Sequence, residues 1–462
     1  MEKEPRKLVF RLTPWIFLLI LPLIYIDLLW GNNIRIEQRF HYITGPETKF
    51  LSSSRRDITN AVAKQESLDY LLSRLVKDED QKSFKATGFA CNTEIYSKHC
   101  VANKPLRIDT TTMSIFVPDN RSVQEETVIR PYARQEDEVL LQRVTPVKIL
   151  QGNITALPAC EYTHESPAVV FSTSGFIGNV FHEINEILIP LFITTRQFKS
   201  RAVFVVEDYR PSFMKKYGDA ISRLTKHEIV NPSLNRSVHC FPGAVVGLKF
   251  HGHLSLHPAE IPTGQSMKQF RQFLRESLSL KYSHVSQIGT PTVMFLSRRT
   301  TRRIINEDDV VSMIRDLGFR VIVVARSKVI SNLNVFSSMI NSCSVFVGAH
   351  GAGLTNELFL PDGAVMVQVD LIGLEWAAAT YYGNPAREMG VRYLRYKIEP
   401  EESSLIKIFG SRNHSAITDP KKLPVQAGKE VYLNGQNVRI NIDRFRETMV
   451  EAMSLVTGDS PL

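Results

Sequence analysis

Two short stretches of this chain hold residues suited to bond-making chemistry. The first is GFIGNVFHEINEILIPLF, from Gly175 to Phe192. Val180, Phe181, Ile184, Ile187, Leu188 and Leu191 fall on one helical face. Asn179, His182, Glu183 and Glu186 share the opposite arc, within about 100° at 3.6 residues per turn. A histidine beside a carboxylate, His182 and Glu183, near a helix start opened by Gly175 and Gly178, has the makings of an acid–base pair. An ordinary amphipathic helix with a polar outer face shows the same pattern. The second stretch is VFVGAHGAGLTNELF, from Val345 to Phe359. Gly348, Gly351 and Gly353 clear side chains so that a ligand can approach the backbone. Leu354 then opens a short helix to Leu360, which aims the amides of Leu354, Thr355 and Asn356 into the loop. A phosphate or diphosphate suits such a loop, with His350 hydrogen-bonding the ligand or its leaving phosphate. The spacing is G-x-H-G-x-G, not the dinucleotide G-x-G-x-x-G, and no Walker lysine follows. A glycine-rich packing turn around a satisfied histidine is the competing explanation.

A third element is SRRTTRR, from Ser297 to Arg303. Arg298 and Arg299 leave the carboxyl end of an apolar run, where guanidinium forks meet phosphate oxygens well. Arg302 and Arg303 read as solubilising surface charge. Asp78 and Asp80, in KDED, follow a weak helix with no strand before them, so they read as solvated charge rather than a metal-holding pair. The cysteine and histidine spacings complete no zinc site. No metal or other cofactor is expected.

These residues need a frame to hold them. Apolar runs at PTVMFLS, RVIVVA, SVFVG and GAVMVQV alternate with helical stretches, NEDDVVSMIRDLGF and SNLNVFSSMINS, the latter with Ser331 as N-cap. Such alternation predicts a parallel, doubly wound α/β sheet covered on both faces. Ligands then bind beyond the carboxyl ends of the strands, where the arginines and the glycine loop stand. The first half carries AVVFS and RAVFVVEDYR around the His182 helix. A final helix runs from Ile442 to Val456 with a clean apolar stripe.

The chain has 462 residues, enough for two domains. Its net charge of +9 comes without a long basic block, which argues against nucleic acid and suits an anionic small ligand or a membrane neighbour. Leu12 to Trp30 is one apolar run with Asp27 as its single charge, long enough to span a bilayer. Trp15 and Trp30 lie near its ends, and Lys3, Arg6, Lys7 and Arg11 precede it, which places the bulk of the chain in the lumen. A cleaved signal peptide is the other reading, but no A-x-A-like site follows. Sequons at Asn120, Asn153, Asn235 and Asn413 fit a lumenal location. Of five cysteines, Cys91 and Cys100 enclose a short polar loop that a disulfide would close, Cys160 and Cys240 form a second plausible pair, and Cys343 reads as a buried thiol.

Taken together, VVFSTSGFIGNVFHEINEILIPLFITTRQF, VHCFPGAVVGLKFH, FLSRRTTRRIINEDDVV, NSCSVFVGAHGAGLTNELFLPDGAVMVQV and GLEWAAATYYGNPAREMGVRYLRYKIEPEESSL resemble plant glycosyltransferase family 61. The match runs from about Cys91 to Leu455 and points to the branch of xylan arabinosyl- and xylosyltransferases. The resemblance implies a type II Golgi membrane enzyme of GT-B architecture, inverting and independent of a bound metal. It implies UDP-xylose or UDP-arabinose as donor and xylan as acceptor in cell-wall biosynthesis. It places His350 to Gly353, with Glu375 and Trp376, at the donor site. Some members carry aspartate where this chain has Glu183. The expected layout is a cytosolic tail (1–11), an anchor (12–30), a lumenal stem (31–88), an acceptor-side Rossmann-like domain (89–281), a donor-binding Rossmann-like domain (282–400) and a C-terminal extension (401–462). A family member acting on N-glycans, or an inactive lumenal protein that only binds glycans or nucleotide sugars, is compatible with the same residues. Oligomeric state is left open, including self-association or assembly with other wall-synthesis transferases.

Overall fold

The computed structural model describes residues 66–458 apart from 78, 93–96, 121–123, 155, 262 and 326–327. The expected anchor, most of the stem, and Asp78 of the KDED run lie outside the described residues. Among the described residues no helix is long and apolar enough to cross a membrane.

Three sheets carry the fold. The first orders β1 (Phe89–Asn92), β2 (His99–Ala102), β11 (Ala244–Val246), β8 (Ala168–Ser172) and β9 (Val203–Glu207). Its β11, β8 and β9 are parallel, while β1 and β2 form an antiparallel hairpin on one side. The second orders β5 (Glu125–Ile129), β6 (Val147–Gly152), β4 (Ser114–Pro118), β3 (Leu106–Asp109), β10 (Val238–Phe241) and β7 (Tyr162–Thr163). The first half is therefore two mixed sheets, where a single Rossmann-like layer was expected. The short strands after Cys91 have too little apolar patterning to announce a second sheet in the sequence.

The third sheet matches the expectation closely. β12 (Thr292–Leu296), β13 (Arg320–Val324), β14 (Val345–Ala349), β15 (Val365–Asp370) and β16 (Arg392–Lys397) are all parallel, in the order β13-β12-β14-β15-β16. Strands β12, β14 and β15 are buried throughout, as unbroken valine-rich runs require. Each large aliphatic side chain buried there contributes about 1.5–3 kcal/mol. β13 has the same composition but lies at the sheet edge, and Val323 is 39% exposed. The chain moves outward from β12 in both directions, so the strand order reverses between β12 and β14. That reversal opens a crevice at their carboxyl ends.

Other boundaries also shift. Helices Leu68–Ser73 and Gln81–Thr87, expected as stem, bury Leu71, Leu72 and Phe84 in the main apolar core. The region after residue 400 is no appendage, because Phe445 and Met449 of helix Ile442–Thr457 share one core with Val293, Val345 and Val365. The helix expected to begin at Ser331 runs Leu333–Asn341, capped by Asn332, whose side chain accepts from the Val335 amide. An asparagine carbonyl one residue on fits the N-cap role equally well.

Disulfides join Cys91 to Cys100 and Cys160 to Cys240, and Cys343 is a buried free thiol whose burial pushes it up to about 12. Asn120, Asn153, Asn235 and Asn413 are all exposed, as a glycan acceptor must be.

Candidate active site

The site is built where the His182 helix meets the loop after β14. From β8 the chain passes through Ser172–Gly178 into a composite helix. It is α-helical over Val180–His182, π-helical over Glu183–Leu188 and α-helical again over Ile189–Thr195. The π turn inserts an extra residue and breaks the 3.6-residue period. Glu183, Asn185 and Glu186 all turn inward and are buried. The expected polar outer face is instead an interior network.

That network sorts the two carboxylates. Glu183 accepts from the Gly178 amide (3.0 Å), Lys216 Nζ (2.5 Å) and the Tyr217 hydroxyl (2.8 Å). It ties the helix start to helix Pro211–Ile221 and does not touch His182. Glu186, one turn on, lies 2.6 Å from His182 Nδ1. It also accepts from the Tyr132 hydroxyl (2.8 Å) and Arg134 Nη1 (3.1 Å). A buried carboxylate at Nδ1 fixes the proton on that nitrogen and leaves the Nε2 lone pair free. The His182 side chain is 19% exposed, so that lone pair is within reach of a substrate. Burial and the Glu186 charge together push the Tyr132 hydroxyl well above its usual range, so it stays a donor.

An aromatic bridge joins this pair to the third sheet. Phe181 lies 5.2 Å from Tyr381 and 6.0 Å from Tyr382, and Tyr382 lies 5.5 Å from His350. His253, from the loop after β11, packs on Tyr381 at 4.7 Å. The turn Val180–His182 packs directly on residues of Ala352–Phe359.

The loop after β14 starts its helix two residues earlier than expected, at Ala352, and the helix is a 3₁₀ helix ending at Phe359. Leu354, Thr355 and Asn356 are buried within it. The Asn356 side chain donates back to the Gly353 carbonyl (2.8 Å). The Leu354 amide is already donated to the Gly351 carbonyl (2.9 Å), and the Thr355 hydroxyl is buried without a hydrogen-bond partner among the described residues. Arg271, 1% exposed, donates to the Leu358 carbonyl (3.2 Å) and Asp362 (2.8 Å), and so pins the far end of this turn. The glycines have separate reasons. A Cβ at Gly348 would lie 3.0 Å from Leu354, and one at Gly353 would lie 2.6 Å from Leu296, so both serve close packing. Only Gly351 faces the crevice. Its φ is +151°, and a Cβ there would lie 2.7 Å from Arg298 Nη1 and 3.1 Å from Arg302 Nη1.

Two guanidiniums thus converge on Gly351 from the loop after β12. Arg298 is braced by the Thr301 carbonyl (2.8 Å). Arg302, expected as surface charge, donates to the His350 carbonyl (3.1 Å), and its Nε is buried without a hydrogen-bond partner among the described residues. Neither arginine makes an ion pair among the described residues. Burial lowers both from their usual range, Arg302 to about 10 with Arg298 adding to the effect, so both stay cationic at neutral pH. Arg299 turns away, 60% exposed, 3.9 Å from Glu307. His350 is itself buried, with Nδ1 accepting from Gln368 Nε2 (3.0 Å) while Gln368 Oε1 accepts from the Tyr393 hydroxyl (3.1 Å). Burial, then Arg302 and Arg298, pull His350 down to about 3. It is a neutral imidazole whose Nε2–H remains to donate. Glu375 and Trp376 open the short helix after β15, on the same sheet edge, and Trp376 is 65% exposed beside Tyr381 (5.6 Å).

Two half-buried cations without carboxylates are costly unless an anion joins them. Gly351→Ala should push Arg298 and strain the backbone. We expect KM for the anionic substrate to rise about 10-fold or more, the scale of a weakened charged contact, with acceptor KM unchanged in steady-state kinetics.

Comparison with known proteins places this arrangement among the glycosyltransferases. The model of the family described as glycosyltransferase 61 matches residues 180–367, a span that opens on the His182 helix and closes within β15. The chain is 30% identical over 435 residues to the xylan glycosyltransferase MUCI21 of Arabidopsis thaliana, covering 88% of this chain and 86% of that one. It is 33% identical over 338 residues to the beta-1,2-xylosyltransferase XYXT1 of rice, covering 71% of this chain and 72% of that one. It is 34% identical over 366 residues to the alpha-1,3-arabinosyltransferase XAT3 of rice, covering 77% of this chain and 63% of that one. The chain belongs to glycosyltransferase family 61.

Sequence reasoning missed Glu186, Tyr132, Arg134, Gln368 and Arg302 as parts of the site. The His-x-x-x-Glu spacing of His182 and Glu186 was visible, but an even helix would have put both residues in solvent.

Proposed function

We propose that this enzyme transfers a pentose, xylose or arabinose, from a UDP-sugar to xylan in the Golgi lumen, with inversion and without a bound metal. The observation that carries the reading is the pair of guanidiniums at Gly351 that have no carboxylate partner among the described residues, facing a histidine–carboxylate pair across a packed aromatic bridge. The named activities of the relatives supply the sugar and the acceptor. A two-domain GT-B arrangement, with the third sheet on the donor side, is part of the proposal.

The chemistry follows from charge. As the bond from the anomeric carbon to the diphosphate breaks, negative charge grows on the departing UDP. Arg298, Arg302 and the His350 Nε2–H stand ready to receive it, in a crevice where such groups need no reorganisation. Two fixed guanidiniums supply the positive charge that a divalent cation provides elsewhere. On the other side, His182 Nε2 takes the proton of the acceptor hydroxyl. Glu186 holds the ring and steadies the imidazolium that results. The hydroxyl oxygen attacks the face opposite UDP, so one displacement inverts the anomeric carbon. Glu183 holds the helix start, and Trp376, at the open rim, is placed to lie against a sugar or base ring.

UDP release from a panel of UDP-sugars tests the donor assignment. UDP-xylose or UDP-arabinose should be turned over with xylo-oligosaccharide present and slowly hydrolysed without it. Binding with no release from any donor would favour a binding protein.

His350 makes a separate prediction. Its folded value of about 3 lies below the unfolded value near 6.5. As pH falls through 6.5 the unfolded chain takes up a proton that the folded chain refuses. Stability present above pH 6.5 is therefore lost on acidification, at up to about 1.4 kcal/mol per pH unit. His350→Asn should flatten the fall in Tm between about pH 6.5 and 4.5 relative to the wild type. Parallel melting curves would show that His350 is not the group involved.

A further inference from the structure

Two open hollows that the reaction centre does not use begin at the carboxyl end of β9, and the first runs from there down helix Pro211–Ile221 to the amino end of the strand. One, of about 540 Å³, lies along helix Pro211–Ile221 and is lined by Met214, Lys215, Gly218 and Lys226. The other, of about 450 Å³, is lined by Thr112, Glu207, Arg210, Asn231 and Arg236. Tyr209 lines both, so the two adjoin as one groove. A groove of this length exceeds what one sugar residue fills.

Its charge is one-sided. Lys215, Lys226, Arg210 and Arg236 are exposed, and none makes an ion pair among the described residues. Of the two acids, Asp208 is engaged by the Thr145 amide (3.0 Å), the Thr145 hydroxyl (2.6 Å) and the Ser172 hydroxyl (2.7 Å). The Glu207 carboxyl has a buried oxygen without a hydrogen-bond partner among the described residues, and burial, with Asp208, pushes it up to about 6.

The groove is also joined to the reacting end. Thr173, at the head of the loop leading to His182, accepts from the Arg210 amide (2.9 Å) and donates to the Asp208 carbonyl (2.9 Å). Helix Pro211–Ile221, one wall of the groove, holds Glu183 through Lys216 and Tyr217. A long substrate lying in the groove would start near the sheet edge that presents His182 and lead away from it along helix Pro211–Ile221.

We propose that this groove is a remote acceptor subsite for a polysaccharide chain bearing carboxylates, with Tyr209 stacking on a sugar ring and the four cations pairing with uronate groups. The inference rests on the reading of the enzyme as a polysaccharide transferase. Gly218 offers a clean block, because a Cβ there meets no atom within 4 Å and helix geometry tolerates a side chain. The test uses the full chain in detergent as wild type, Gly218→Trp and the double variant Lys215→Glu/Lys226→Glu. Acceptors are a short neutral xylo-oligosaccharide and a long uronate-substituted xylan. We expect both variants to raise KM at least 10-fold for the long acidic acceptor, and to leave the donor KM and the rate on the short neutral acceptor unchanged. Equal KM values for both acceptors in all three proteins would overturn the subsite. Binding is read separately, by gel retardation in acidic xylan without donor. Retardation lost in the variants supports the groove even if no acceptor is turned over, a result that would sink the transferase reading alone. Retardation equal in all three proteins overturns the groove whatever the activity.

Discussion

His182→Ala should reduce transfer by about 10²- to 10⁴-fold, the usual contribution of a positioned general base, and leave the Tm nearly unchanged. The side chain sits at the lip of the site, 19% exposed, and its removal opens a space to solvent rather than a core cavity. Glu186→Gln should act differently. It keeps the shape but removes the charge that Arg134 and the imidazole share, so both activity and Tm should fall. Breaking a buried charged pair typically costs about 3–5 kcal/mol. The contrast is the informative part, since a purely structural His182 would lower Tm along with activity. His182→Ala with wild-type transfer would move the base to another residue.

Arg298→Ala and Arg302→Ala should each lower kcat by about 10²–10³-fold, on the scale of removing one preorganised donor from a developing negative charge. Their effects should not add, because both guanidiniums converge on Gly351 and, in the proposed mechanism, act on one diphosphate there. Both variants should fold, because neither arginine holds an ion pair among the described residues and relief of two adjacent cations is favourable. Arg299→Ala is the internal control, with activity near wild type, because its guanidinium points to Glu307. Steady-state rates with saturating donor would check all three. An Arg299 effect larger than the Arg302 effect would show that the cradle is assigned to the wrong side chains.

The legible part of this protein was the third sheet. Its inner strands β12, β14 and β15 are fully buried, so their β-branched runs are unbroken and their ends are marked by glycine and proline. The position of the glycine loop at the carboxyl end of β14 followed from that alone, and with it the expectation of a ligand there. The first half was harder to read, because β1 to β7 are short, range from fully buried β2 to exposed β7, and are joined into sheets by distant partners, as when β10 joins β3. At the site, His182 was visible and its partner was not. The π turn that rotates Glu186 inward depends on tertiary packing and leaves no mark in a 3.6-residue period. Arg302 was misread for a related reason. Among four arginines in seven residues, the turn after β12 decides which two point inward, and that turn is closed from residue 436 by a backbone bond to Arg302.

One incubation decides most. The full chain, purified in detergent, is mixed with UDP-xylose or UDP-arabinose, xylo-oligosaccharides and excess EDTA, and the products are followed by mass and by the anomeric proton signals. A pentose joined to the xylo-oligosaccharide, with the anomeric centre inverted relative to the donor, is the expected result. Transfer that EDTA abolishes, or an anomeric centre that is retained, would contradict the mechanism drawn from Arg298, Arg302, His182 and Glu186.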